Sequence, residues 1–206
     1  MPDFSFELSK PGLVAGVDEA GRGPWAGPVV AGAAILNPKT LPQDLIDGLD
    51  DSKKLKAEKR EVLLRRLEDS DAVLGIGIAS VVEIDQLNIL QATMLAMRRA
   101  VADLGVVPDY ALIDGNRVPD GLACGAEAVV KGDGRSLSIA AASIVAKVSR
   151  DRMMAELDRQ YPGYGWAANA GYGTKAHQEG LLKFGVTPAH RKTFSPIRKM
   201  LSPGDS

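Results

Sequence analysis

A chain of 206 residues with 45% hydrophobic and 25% charged residues is long enough for one sizeable core and too evenly mixed for a disordered or fibrous protein. Its single cysteine, Cys124, excludes an internal disulfide and a cysteine-cluster zinc site, and no apolar run reaches the ~18 residues a membrane helix needs. The net charge of −1 hides an asymmetry: residues 1–146 carry 15 Lys+Arg against 21 Asp+Glu, and residues 147–206 carry 10 against 5. A basic C-terminal quarter offers either a footprint for a polyanion or a merely solvated surface.

The N-terminal MPDFSFELSK is too acidic and too poor in apolar residues for a secretory signal, so a cytoplasmic protein is expected. LVAGV (13–17) and PVVAGAAIL (28–36) read as the first two strands, being short, apolar and bounded by Gly, Pro, Asp or Asn. A helix follows around 53–68, and AVLGIGIAS (72–80) is a third strand. Ser80-Val-Val-Glu83 has capping-box spacing and marks the next helix start. Leu87, Leu90, Met94, Met97, Val101 and Leu104 recur at three- and four-residue steps, which predicts one helical stripe facing the core, its methionines filling gaps. YALI (110–113) and AEAVV (126–130) complete five strands of one central sheet, and helices are expected over 138–160, 174–184 and 188–200. Cys124 reads as a small hydrophobe or idle thiol. The uncharged stretch YPGYGWAANAGYGT (161–174), with four aromatic residues, is either a hinge-rich connector or an aromatic surface for a base or sugar.

Three predicted strands end in carboxylates: Asp18 and Glu19 in the first, Asp114 in the fourth, Asp133 just after the fifth. Neighbouring strand residues point to opposite faces, so Asp18 and Glu19 share a site only if pleating stops there, as Gly21 and Gly23 would allow. Each Asp-Gly alone is an ordinary turn. Together, converging like charges would repel unless a multivalent cation neutralised them. An all-oxygen donor set suits Mg²⁺ or Mn²⁺, and two such ions about 4 Å apart activate water and stabilise a leaving oxygen in phosphodiester hydrolysis. Gly21 and Gly23 leave backbone groups open to a ligand, and Arg22 offers a forked donor for phosphate. Such backbone can sense a 2′-hydroxyl, although GRGP is also a plain turn. Ser52, Lys53, Ser143 and Lys147 are caps, solvated charges or phosphate contacts.

The stretches GVDEAGRGPWAGPVV, DSKKL, EIDQLNILQATMLAMRRAV, LIDGN, VVKGD, SIAAASIVAKVSRD, GYGTKAH and HRKTF resemble bacterial ribonuclease HII, the type 2 ribonuclease H, in order and from about residue 13 to 197. The resemblance implies an α/β ribonuclease H-like fold, with a mixed five-stranded central sheet flanked by helices and a C-terminal helical extension. It implies a single domain over 1–206, with a catalytic core at about 13–160 and a helical substrate-binding portion at about 161–206. The implied activity is an endonuclease that hydrolyses the RNA strand of RNA–DNA hybrids and nicks duplex DNA 5′ to a single embedded ribonucleotide, leaving 3′-hydroxyl and 5′-phosphate ends.

By the same resemblance, Asp18, Glu19, Asp114 and Asp133 are catalytic metal ligands for Mg²⁺ or Mn²⁺. Gly21, Arg22 and Gly23 form the ribonucleotide-sensing loop, Tyr172 stacks under the sugar, and Ser52, Lys53, Ser143 and Lys147 contact phosphate. Asp151 is expected to be structural. Trp25 stands where the family has leucine, and Gly134 where serine is frequent. A monomer is expected. Two rivals are a catalytically dead hybrid-binding module, which would lack carboxylates, and a DNA-only nuclease such as a resolvase, which would not need GRG together with Tyr172.

Overall fold

The apolar runs form five strands in a computed structural model that describes residues 1–202: β1 (Val14–Ala20), β2 (Val29–Ile35), β3 (Val73–Ala79), β4 (Tyr110–Asp114) and β5 (Gly125–Val129). Residues 203–206 of the expected C-terminal portion lie outside the described residues. The strands make one sheet in the order β3-β2-β1-β4-β5. β2 runs antiparallel to β1 and β3, whereas β1, β4 and β5 run parallel. That direction matters for function, because parallel neighbours deliver their C-terminal ends to one edge of the sheet.

The helices are α1 (Ser5–Leu8), α2 (Gln43–Ile46), α3 (Ala57–Glu68), α4 (Val81–Leu87), α5 (Ile89–Asp103), α6 (Leu137–Gln160), α7 (Trp166–Asn169), α8 (Lys175–Phe184) and α9 (Ser195–Leu201). No helix among the described residues is long and apolar enough to cross a membrane. Met97, Ala100, Val101 and Leu104 at the end of α5 pack with Ala15, Val17, Ala31 and Ala33 on one sheet face. Cys124 packs beside them, half-buried. On the other face α6 is buried continuously from Leu137 to Ala146, as a helix enclosed between a sheet and α2–α3 must be. It lies very close to the strands. A Cβ on Gly16 would stand 2.1 Å from the Ser138 carbonyl carbon, and one on Gly32 would stand 2.3 Å from the Ala142 oxygen.

Three helix expectations shift. The predicted single stripe is two helices: Asn88, at φ 71°, ends α4, and its side chain caps α5 by accepting from Leu90 N and Gln91 N. Leu87 is consequently 42% exposed rather than core. The expected capping box is present, with Ser80 and Glu83 exchanging hydrogen bonds. The helix expected from 53 begins at Ala57, and the one expected from 188 begins at Ser195, because Arg191 is drawn into the interior instead.

Beyond α6, Tyr164 stacks on Trp166 with centroids 4.8 Å apart, and both are buried with Ala26, Met154, Leu181 and Ile197. For these aromatics the connector reading holds, whereas Tyr172 stays 51% exposed. Behind Tyr172 lie two fully buried histidines. The network fixes their tautomers: His177 Nδ1–H donates to Tyr172 O (3.0 Å), so Nε2 accepts from Trp166 Nε1–H and from His190 Nε2–H, each at 3.1 Å. His190 Nδ1 accepts from Thr187 N–H at 2.9 Å. A proton added to His177 Nε2 would face two donors, and one added to His190 Nδ1 would face the Thr187 N–H.

Burial therefore lowers the pKa of His177, and burial with the neighbouring His177 brings His190 down to about 4. A base depressed in the folded state loses its contribution as pH falls below its unfolded value of about 6.5. Urea midpoints at pH 7 and pH 4.5 are expected to show wild type losing roughly 2–3 kcal/mol more than a His190→Gln variant. Equal losses would remove His190 from this role.

Candidate metal centre and substrate cleft

The strand directions carry the carboxylates to one place. Asp18 lies two residues before the end of β1, Asp114 ends the parallel strand β4, and Asp133 sits in a 3₁₀ turn (Gly132–Gly134) that follows β5 and starts from Lys131 in the left-handed region. One oxygen from each of Asp18, Asp114 and Asp133 lies within 4.8 Å of the others. Local hydrogen bonds orient two of them: Gly132 N–H donates to Asp114 Oδ1 (2.7 Å), and Glu19 N–H donates to Asp18 Oδ1 (2.7 Å).

Pleating does not stop at Asp18, contrary to expectation. β1 stays paired with β2 through Ala20, with Asp18 opposite Gly32 and Glu19 opposite Ala31. Asp18 accordingly faces α6, buried to 3% exposure, while Glu19 turns to the other face. Glu19 lies outside the three-carboxylate group and accepts from Arg22 Nη1 at 3.3 Å. Its charge still reaches the centre. Asp18 is held well above the ordinary carboxylate range by burial and then by the charges of Glu19 and Asp114, with the Ser143 hydroxyl in partial opposition. Burial also raises Glu19 and Asp133, and the Asp114 charge adds to both. Closely spaced oxygens that resist ionising together are the donor set a hard divalent cation fits.

Beside this centre a cleft of about 350 Å³ is lined by Glu19, Gly21, Arg22, Gly23, Ser52, Lys53, Lys147, Arg150 and Tyr172. Most of the residues expected to contact substrate thus share one wall. Lys53 Nζ lies 3.9 Å from Asp133 Oδ2. Burial opposes its charge, but Asp18, Asp51, Asp133 and Asp114 together raise its pKa. Lys147 Nζ donates to Asp151 Oδ1 at 2.6 Å, and Asp151 also pairs with Arg60, which leaves Asp151 in the structural role expected of it. Ser52 and Ser143 are both buried, their hydroxyls 2.7 Å apart, but only Ser52 lines the cleft; Ser143 hydrogen-bonds Asp18 and braces it from behind. Trp25 packs on Gly173, beside Tyr172, with its ring 5.6 Å from His177. Gly134 borders open space near Lys54 Nζ.

Met94, Asn116 and Arg117 line a second recess of about 310 Å³ with Glu19, Arg22 and Asp114; sequence reading placed Met94 in the core and passed over the other two. It also passed over Arg150 and Arg191, which are 2% and 0% exposed. Nothing in their spacing marks them, since arginine is ordinarily a surface residue.

The fold is ribonuclease H-like. Ribonuclease H2 from Pyrococcus horikoshii OT3 superposes with a TM-score of 0.75 at 31% identity, over 93% of this chain and 98% of that one. Bst ribonuclease HIII, determined in complex with Mn²⁺, has the same fold at a TM-score of 0.72 and 18% identity, over 93% of this chain and 70% of that one. The Ribonuclease HII family profile matches residues 15–197. A Ribonuclease HII of Jannaschia sp. (strain CCS1) is 58% identical over 201 residues, 97% of this chain and 98% of that protein. The chain belongs to the ribonuclease HII family.

Proposed function

We propose that this member of the ribonuclease HII family, which hydrolyses the RNA strand of RNA–DNA hybrids, also nicks duplex DNA on the 5′ side of a single embedded ribonucleotide. The products are 3′-hydroxyl and 5′-phosphate ends, and the role is removal of misincorporated ribonucleotides. The observation that carries the reading is the meeting of Asp18, Asp114 and Asp133 beside a cleft that also holds Gly21, Arg22, Gly23 and Tyr172.

Asp18, Asp114 and Asp133 would hold the divalent ions, Mg²⁺ or Mn²⁺ and two with substrate bound, with Glu19, which here accepts from Arg22, as the fourth carboxylate of the set. Bound divalent ions supply an activated water and neutralise charge on the leaving 3′-oxygen. Lys53 and Lys147 offset phosphate charge at the cleft wall, and Ser52 donates from the same side. Ser143 supports Asp18. The ring of Tyr172 is a platform for the sugar, and the backbone of Gly21, Arg22 and Gly23 reads the 2′-hydroxyl. The core at 13–160 thus carries the chemistry and the portion at 161–206 completes substrate binding. A cytoplasmic monomer accords with this role.

The test is a duplex with one ribonucleotide beside an all-deoxy duplex, each with Mg²⁺ and with Mn²⁺. Cleavage of both alike would favour a DNA nuclease, and binding without cleavage an inert module. Tyr172→Ala is expected to slow cleavage at the single ribonucleotide about ten- to hundredfold, the worth of one stacking contact; unchanged single-turnover rates would exclude Tyr172 from the platform.

A further inference from the structure

The loop after β1 makes no regular structure of its own. It is held from beneath by two buried guanidiniums that form no ion pair among the described residues. Arg191 donates from Nη2 to Gly21 O (2.5 Å) and Pro28 O (3.2 Å), from Nη1 to Arg22 O (2.8 Å), and from Nε to Gly27 O (2.9 Å). Arg150 donates to Pro28 O (3.0 Å), Ala26 O (3.2 Å) and Ala170 O (2.9 Å). Burial lowers their pKa values, Arg150 to about 10 and Arg191 to about 9, the latter with help from Arg150. Both remain cations at neutral pH, so these are charge-assisted bonds in a low-dielectric setting.

Every peptide among the described residues is trans, and in a trans peptide the C=O and N–H point opposite ways. With the Gly21 and Arg22 carbonyls turned inward to Arg191, the N–H groups of Arg22 and Gly23 must turn outward, toward the cleft that these residues line. Neither N–H donates to any acceptor among the described residues. Arg150 completes the clamp. Gly21 sits at φ +96°, and a Cβ there would stand 1.9 Å from Arg150 Nε.

We propose that Arg191, backed by Arg150, is the positioning residue that sets ribonucleotide selectivity, by fixing the Arg22 and Gly23 N–H groups as a preformed pair of donors for the sugar 2′-hydroxyl. The inference rests on the proposed recognition of a single ribonucleotide. A guanidinium is needed because a fork of donors spans several carbonyls at once, which an ammonium cannot do. Release of the fork frees the two peptides to rotate, and the site loses its reading of the sugar before it loses its hold on phosphate.

The experiment measures Kd, in EDTA, for a duplex with one ribonucleotide and for the same duplex all-deoxy, with wild type, Arg191→Lys and Arg191→Met, below the Tm of each. The ribo-over-deoxy preference is expected to fall at least about tenfold in Arg191→Met and by less in Arg191→Lys, with all-deoxy affinity unchanged. A variant that loses stability but keeps the wild-type preference would overturn the proposal. Should Arg191→Met fail to fold, amide hydrogen exchange in the wild type decides: protection of Arg22 and Gly23 by the ribonucleotide duplex alone supports it, and equal protection by both duplexes overturns it. A wild type without preference defeats the functional reading itself, whereas a preference that survives in the variants defeats only the role of Arg191.

Discussion

Replacing Asp18 with asparagine is expected to reduce cleavage at a single ribonucleotide by at least about 10³-fold with either Mg²⁺ or Mn²⁺, since several kcal/mol of transition-state charge stabilisation depend on bound cations and each 1.4 kcal/mol is tenfold. Undiminished cleavage would remove Asp18 from the centre. The same substitution is expected to stabilise the metal-free protein. Asp18, Glu19 and Asp133 all have pKa values raised in the folded state. Such groups bind protons more tightly folded than unfolded, so they cost nothing below the ordinary carboxylate range near pH 4 and cost progressively more as pH rises through their elevated values. At neutral pH, Asp18→Asn without metal should therefore melt above wild type, and near pH 4 the two should converge. Added Mg²⁺ should raise the wild-type Tm at neutral pH and raise that of the variant much less. Thermal melts with and without the ion measure all three.

Gly32→Ala is expected to damage both stability and activity without touching a reacting group. The new methyl would meet Ala142 O at 2.3 Å and Ala146 N at 2.9 Å. These are backbone atoms of α6, which cannot turn aside as a side-chain tip can. The helix must lift from the sheet at a cost of about 3 kcal/mol or more, at the severe end of overpacking. Gly32 is the register partner of Asp18, and Ser143 is the next residue on the displaced helix, so the brace behind Asp18 moves too. Denaturant unfolding and single-turnover cleavage are both expected to fall. A variant with wild-type stability would show that α6 does not lie this close to β2.

The sheet was legible because each strand is a short apolar run punctuated by turn residues, and the meeting of Asp18, Asp114 and Asp133 because carboxylates at or near strand ends are costly without a cation. Other features left no such mark. At Asn88 the apolar spacing continues undisturbed while the backbone turns to φ 71°, so periodicity alone reads two helices as one. Glu19 follows Asp18 directly and shared its reading, yet regular pleating sends it to the opposite face. Ser143 carries a donor suited to phosphate, but only packing reveals that it faces inward. The buried arginines were hidden most completely. Their partners are main-chain carbonyls, which have no residue identity for a sequence pattern to display.

The clamp under the loop joins distant parts of the chain: Arg150 comes from the long helix of the core, and Arg191 from the segment between α8 and α9. If Arg191 sets selectivity as proposed, bond scission and sugar discrimination have separate custodians. A lineage that eroded its last forty residues could then retain Asp18, Glu19, Asp114 and Asp133 and still become an indiscriminate cutter, so fidelity in this architecture is vulnerable at a site where no chemistry occurs.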